Sequence, residues 1–150
     1  MEPKDLEIFV DNTKLNIRVT ILIKTDNGYL IQKSKMNDYY FFIGGRIKIN
    51  EASIDTVKRE LLEETNLKAN KIEFKSVIEY FFIHKISNEP VHEIQFVYEV
   101  SDIENLKDLK MDERIIEASF EDFDKYEMKP SYLKDIILNN DWKSHYIFRD

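Results

Sequence analysis

Three glutamates, Glu60, Glu63 and Glu64, fall within the short run Arg59-Glu60-Leu61-Leu62-Glu63-Glu64. On a helix each residue advances about 100°, so these three carboxylates share an arc of roughly 100°. Like charges three and four residues apart repel, so such a face is poorly stabilised alone and invites a cation. Hard oxygen donors in this arrangement suit magnesium or manganese, which keep several waters and bind phosphate oxygens. Close carboxylates also raise one another's pKa, and a bound cation reverses that. Arg59 points away from the three glutamates on the helical wheel, while Glu51 lies near the helix start. A bidentate Arg59–Glu51 pair would brace the preceding loop against the helix. Two of the three glycines, Gly44 and Gly45, precede the whole run, where a backbone without Cβ can approach a ligand or metal closely. The competing reading is a solvated charged face, which is what most charge runs are.

The elements that must hold these groups can be read from pattern. Residues 16–24 (NIRVTILIK) alternate, with Ile17, Val19, Ile21 and Ile23 on one face of a half-buried strand. Asp26-Asn27-Gly28 signals a turn, and residues 29–33 read as the returning strand of a hairpin. Residues 39–43 (YYFFI) form a short aromatic strand leading into the glycine pair. Ser53 is the expected N-cap of the acidic helix, with Asp55 in its first turn and an apolar stripe of Ile54, Val57 and Leu61. The helix runs to about Asn66, a residue type that tolerates the left-handed conformation of a helix end. Residues 74–85 and 91–101 read as a second antiparallel pair, residues 103–113 as a charged loop, 114–120 as a short strand, and 130–139 as a helix opening after Pro130. Strands, helix, strands, helix is the order of a mixed α/β or α+β domain.

Composition limits the partners. At 150 residues the chain suits one domain with a real core. A net charge of -7 argues against general nucleic-acid binding and against an anionic membrane surface, both of which need a basic face. An anionic substrate would then need bound cations to offset the site's own carboxylates. Without cysteine there are no disulfides, thiolate metal sites or cysteine nucleophiles, which fits a reducing, cytoplasmic setting. The start, MEPKDLEIFV, carries no secretory signal pattern, and no apolar run reaches the length of a membrane span.

The spacing itself is specific. From Gly45, five residues lead to Glu51 and seven more to Arg59-Glu60; then come an aliphatic residue, any residue, Glu63-Glu64, and Leu67 at the close. This resembles the Nudix box of the Nudix hydrolases, with Asn66 in place of the usual glycine. The strand ending in Gly-Gly and the late Pro130-Ser131-Tyr132-Leu133 helix fit as well. The resemblance implies an α/β fold, an α/β/α sandwich around a mixed β-sheet, over residues 1–150 as a single domain. It implies metal-dependent hydrolysis of a nucleoside diphosphate linked to another moiety, with a small nucleotide derivative as substrate. Carried over by position, Glu60, Glu63 and Glu64, helped by the Gly44 carbonyl, would hold Mg2+ or Mn2+, and Arg59 with Glu51 would be the supporting pair. Glu63 is the general base expected inside the box, and Glu113 the candidate outside it. The alternative is a catalytically silent fold of the same kind that senses a nucleotide.

Other residues carry weaker signals. Tyr39, Tyr40, Phe41 and Phe42 could stack a base, but alternate strand residues face opposite ways, so at most two could do so. Core packing is favoured for the rest, and for Tyr80, Phe81 and Phe82. His84 and His92 could face each other across the second strand pair. Arg18 and Arg46 are either phosphate contacts or solvent-facing. Trp142 and His145 lie in a polar tail that packs on the body or on a partner, which leaves a homodimer open.

Overall fold

The computed structural model describes residues 2–110 and 112–150; of the loop expected at 103–113, Met111 lies outside them. In chain order the elements are β1 (Glu7–Val10), β2 (Thr13–Lys24), β3 (Gly28–Lys33), β4 (Tyr40–Phe41), β5 (Ile43–Arg46), α1 (Ser53–Thr65), β6 (Ala69–Ile83), β7 (Pro90–Ile103), β8 (Ile115–Ser119), α2 (Ser131–Asn139) and β9 (His145–Arg149). The strands form one mixed sheet with the order β4-β3-β2-β7-β6-β9. The long strand β2 is its spine. One edge pairs in succession with β1, β5 and β3, all antiparallel, while the other runs parallel to β7 from Lys14↔Val91 to Ile23↔Val100. The expected β6–β7 antiparallel pair is present, with a bulge between Phe74 and Ser76.

Strand alternation then divides the core in two. Val19, Ile21 and Ile23 of β2 join Val57 and Leu61 of α1 in one buried cluster, with Tyr98 and Val100 of β7. Leu22, on the opposite face, joins Ile78, Val97, Phe123, Met128 and Leu133 of α2. The two helices therefore cover opposite faces of a mixed sheet, which is the α/β/α sandwich expected.

Local chemistry explains several details and corrects others. The hairpin at Asp26–Gly28 forms, but Gly28 is not needed for a positive φ. A Cβ there would lie 1.9 Å from the Ala118 carbonyl oxygen, so the glycine admits β8 at close range. A second two-residue hairpin joins β1 to β2 through Asp11 (φ 49°) and Asn12 (φ 66°), residue types suited to left-handed turns. Ser53 is not the N-cap of α1. Ala52 holds that position without a side-chain cap, and the Ser53 hydroxyl bonds Tyr98 OH at 2.6 Å. Ile54 is 40% exposed, and the buried stripe is Thr56, Val57, Glu60, Leu61 and Thr65 instead. The tail packs on the body: β9 runs parallel beside β6, and Trp142, Tyr146 and Phe148 pack against the α2-side cluster. His92 does not face His84. It stacks on Phe81 (4.5 Å between ring centroids), while His84 belongs to the turn that joins its backbone to Glu89. No helix among the described residues is long and apolar enough to cross a membrane.

Candidate active site

The segment between β5 and the end of α1 folds around one guanidinium. Arg59 donates Nε to Glu51 Oε2 (2.8 Å) and Nη2 to Glu51 Oε1 (2.9 Å), the bidentate brace expected. Nη2 also reaches the Arg46 carbonyl at 3.1 Å, tying the helix to the end of β5. Glu51 accepts two further bonds, from the Lys48 backbone N–H (3.1 Å) and the Thr56 hydroxyl (2.7 Å). These donors, Arg59 foremost, hold its carboxyl down at about 2 against the opposing effect of burial. Arg59 in turn is held even more firmly protonated, chiefly by its bond to Glu51.

Arg59 does not point away from the glutamates. Its Nη1 donates to Glu60 Oε1 (2.9 Å) and Glu63 Oε2 (3.3 Å), so one side chain fixes both the loop and the acidic edge. Its long stem lets the head swing back over its own helix, which a wheel of Cα positions does not show. Glu60 is 8% exposed and lies over Gly45. A Cβ at Gly45 would sit 2.2 Å from the Glu60 carboxyl carbon, so the carboxylate occupies the space that glycine leaves. Burial raises the Glu60 pKa, Arg59 opposes this, and the charges of Glu63 and Glu64 add to the rise. Glu63 is exposed and Glu64 partly so.

Gly44 serves the other side of the same ribbon. A Cβ there would meet the Val19 carbonyl oxygen at 2.3 Å and Arg18 Nη2 at 2.8 Å. Gly44 and Gly45 thus separate a guanidinium on one face of β5 from a carboxylate on the other. Asn66 takes the left-handed conformation (φ 64°) and ends α1, its N–H bonding the Leu62 carbonyl at 2.9 Å. Its amide also bonds the Asp108 carbonyl (3.2 Å), and the Asn105 amide returns a bond to the Asn66 carbonyl (3.1 Å). Glu113 is exposed in the segment leading to β8, and its neighbour Asp112 pairs with Arg114.

Sequence reasoning missed a second polar set on the α2 face. Asn16 and Thr20, on the face of β2 opposite the isoleucines, are 6% and 5% exposed, with Glu93 at 7% and Gln95 at 4% beside them on β7. The Asn16 amide donates to Glu93 Oε1 (2.9 Å) and the Gln95 amide to Glu93 Oε2 (2.7 Å). Thr20 donates to Gln95 Oε1 (3.0 Å), and Arg46 Nε to Asn16 Oδ1 (2.8 Å). The available signal was the polar half of two alternating strands, which reads as a solvent face until the covering helix is known. The aromatics are mostly packing. Phe42 is buried, Tyr40 meets Tyr126 edge-on, and Tyr80 meets Tyr132 edge-on.

As chemistry, the α1 side offers hard oxygen donors. Among the described residues no three acidic or histidine side chains converge tightly enough to cage an ion by themselves. What they offer is an open set: one carboxylate buried against bare backbone and strained by two like charges, with two more at the rim. That fits a hard divalent cation that keeps water and substrate oxygens among its ligands.

Comparison with known proteins is consistent with this geometry. The family model described as the NUDIX domain matches residues 14–138. An 8-oxo-dGTP diphosphatase of Buchnera aphidicola subsp. Schizaphis graminum is 37% identical over 70 residues, which are 45% of this chain and 54% of that protein. The chain therefore spans about half the length of the curated relative it matches. Among solved structures, a MutT protein from Bacillus halodurans superposes with TM-score 0.70 at 15% identity, covering 89% of each chain. The E. coli ORF135 protein superposes with TM-score 0.63 at 20% identity, covering 87% of this chain and 93% of that one. At these identities the likeness is one of fold.

Proposed function

The chain belongs to the NUDIX family, and on that premise we propose that it is a magnesium-dependent pyrophosphohydrolase. Its substrate on this reading is a nucleoside diphosphate linked to another moiety. The observation that carries the reading is the Glu60 carboxylate seated over Gly45 and tied by Arg59 to Glu51. Glu60, Glu63, Glu64 and the Gly44 carbonyl would hold Mg2+, with Mn2+ as the alternative. Bound there, the ion would supply charge neutralisation at the pyrophosphate and a lowered pKa for the attacking water.

The chain's own residues do the rest. Arg59 fixes the Glu60 and Glu63 carboxylates against the loop, so neither must be ordered during reaction. Glu63 accepts the proton of the attacking water, whose oxygen forms a new P–O bond as the bridging P–O bond breaks. The products are a nucleoside monophosphate and a second phosphorylated species. Glu113, exposed in its own segment, is the proton acceptor to test if Glu63 is dispensable. The small-nucleotide substrate is supported by the 8-oxo-dGTP diphosphatase relative, and the reading treats the chain as a single domain at work in the cytoplasm.

A panel of nucleotides with magnesium, read out as phosphate-bearing products, tests this directly. At least one should turn over, and chelation should abolish it. Glu64→Gln should cut the rate by ~100-fold or more while the fold persists, since metal-site interactions supply several kcal/mol. Turnover equal to the parent would remove Glu64 from the metal site. If no nucleotide reacts but one raises the melting temperature, the chain is a nucleotide sensor instead.

A further inference from the structure

Helix α1 covers only part of its side of the sheet. It packs over Val19, Ile21 and Ile23 of β2 and over Tyr98 and Val100 of β7. At the other end of the same face the side chains stay open, and cross-strand register shows how that end is built. Ile8 pairs with Leu15, Leu15 with His92, His92 with Phe81 and Phe81 with Arg149, so one row crosses β1, β2, β7, β6 and β9. The row next to it, nearer α1, runs Ile17, Ile94, Glu79 and Ile147. An outer row holds Val10 with Thr13 and Ile83 with Pro90. Partners in register share a face, and Ile17 borders the cluster under α1, so all three rows lie on the α1 side. Ile8, Val10, Ile83 and Ile147 are each more than half exposed, and Leu15, Phe81 and Ile94 are partly open. Five strands about 4.8 Å apart, over three rows spaced two residues each, give a footprint of roughly 500 Å² before side-chain relief is counted. Monomers rarely expose contiguous apolar patches larger than a few hundred Å².

We propose that this open end is a homodimer interface, in which the same face of a second copy stacks on it sheet to sheet. Shape favours that occupant. The step beside α1 is one helix deep, about 10 Å, and stacked sheets also pack about 10 Å apart, so a second sheet fills the layer that α1 leaves empty. A two-fold axis between the sheets and across the strands sends the two α1 helices to opposite ends, clear of each other, and makes the contact isologous. Charge favours it as well. The chain carries a net charge of -7, so two copies repel over much of their surface. Here the one carboxylate in the three rows, Glu79, is paired with His145 at 2.6 Å, and Arg149 lies over the Phe81 ring at 4.3 Å. Two acidic molecules can therefore meet at this face without bringing unpaired carboxylates together, whereas an anionic membrane would be repelled by the chain as a whole. A standard interface buries roughly 800 Å² of accessible surface per partner, the scale this footprint reaches once the relief of its isoleucine and phenylalanine side chains is added. The proposal goes beyond the hydrolytic reading and does not depend on it.

The test is sedimentation velocity of the full chain from about 1 to about 100 µM, since interfaces of standard size associate at micromolar concentrations or below. The parent should sediment as a dimer over most of that range. Ile8→Glu with Ile147→Glu places two unpaired carboxylates per copy in the contact, one on each edge strand of the face, and should raise the dissociation constant by about 100-fold or more. Both positions are exposed in the single copy, so the variant should keep its fold, with a far-ultraviolet circular dichroism spectrum like the parent's. Met36→Glu is the control: it adds a carboxylate at an exposed position between β3 and β4, outside the face, and should leave the dissociation constant within about threefold. A parent that stays monomeric to about 100 µM overturns the proposal and leaves the face to a different protein. A dimer that survives Ile8→Glu with Ile147→Glu, or that Met36→Glu weakens equally, overturns it too, because the contact then lies elsewhere or net charge alone governs association.

Discussion

At the scale of single residues, the site is organised by what glycine leaves out and by what arginine can reach. Gly45 matters because the Glu60 carboxylate fills the place of its Cβ. In Gly45→Ala that carboxylate must move, which it can do as the far end of a flexible side chain. Stability should change little, but a misplacement of about 1 Å at a reacting centre costs on the order of 100-fold in rate. Steady-state kinetics beside a melting curve checks this, and a variant with parental kcat would show that the Glu60 position is not critical. Glu51 gives a prediction in pH. Its carboxyl is lowered from 4.5 to about 2 in the folded protein, so the stability it contributes is fully present above pH 4.5. It is lost as pH falls towards 2, and amounts to roughly 3 kcal/mol at most. Urea unfolding of the parent and Glu51→Gln at several pH values should show the parent's advantage shrinking across that window. A constant difference from pH 7 to pH 2 would break the assignment. The Arg59–Glu51 brace was legible in the sequence because the two residues sit on one loop and one helix, where spacing alone sets geometry. The reach of Arg59 back to Glu60 and Glu63 was not, since it depends on rotamers rather than spacing.

At the scale of elements, the helix end shows how a substitution in a motif is absorbed. Asn66 adopts the left-handed conformation that the usual glycine takes without steric cost, and its side chain gains a bond to the Asp108 carbonyl. Asn66→Gly should therefore cost less than about 1 kcal/mol, keeping the backbone and losing the tether. Asn66→Ala loses both and should cost about 1–2 kcal/mol more than the glycine variant. Chemical denaturation of the three proteins ranks them, and an alanine variant as stable as the glycine one would mean that the helix ends differently in solution. The strands show what pattern could and could not carry. The isoleucine face of β2 was readable from alternation. The buried state of Asn16 and Thr20 was not, because it depends on pairing with a strand 77 residues away, as between Asn16 and Glu93. Alternation gives no register for a parallel partner, and a one-residue slip would turn Glu93 and Gln95 to the other face. Strand β9 was missed for a related reason: its five residues sit on an edge in a polar stretch, and pairing with β6 is what makes them a strand.

At the scale of the whole molecule, the sheet carries different groups on its two faces, and the last strand to join it packs on the face away from the acidic helix. The α1 side carries Glu60, Glu63 and Glu64, the carboxylates proposed to hold the metal. On the α2 side, Phe148 of β9 stacks on Tyr132 of α2 (3.9 Å between centroids, 13° between planes), and Tyr132 OH accepts from the Gln95 amide at 3.4 Å. Burial, and after it the charge of Glu93, push the Tyr132 phenol well above its ordinary pKa, so it stays a neutral partner at any working pH. A chain of contacts therefore runs from the tail to the buried amide–carboxylate floor, and its one link to Arg59 among the hydrogen bonds given above is through the backbone of Arg46, whose side chain bonds Asn16. Phe148→Ala should cost about 1–3 kcal/mol, less than a fully buried phenylalanine because this one is only half-buried. For a chain of this size that corresponds to a melting temperature lower by roughly 2–12 °C. Its kinetic effect should be small: kcat for a nucleotide at saturation should stay within about twofold, because the groups proposed to act on the phosphorus are braced by Arg59 and Glu51 on the other face. A much larger fall in kcat in a variant that still folds would show that the two faces are mechanically coupled, and that the sheet transmits strain from its C-terminal edge to the acidic helix.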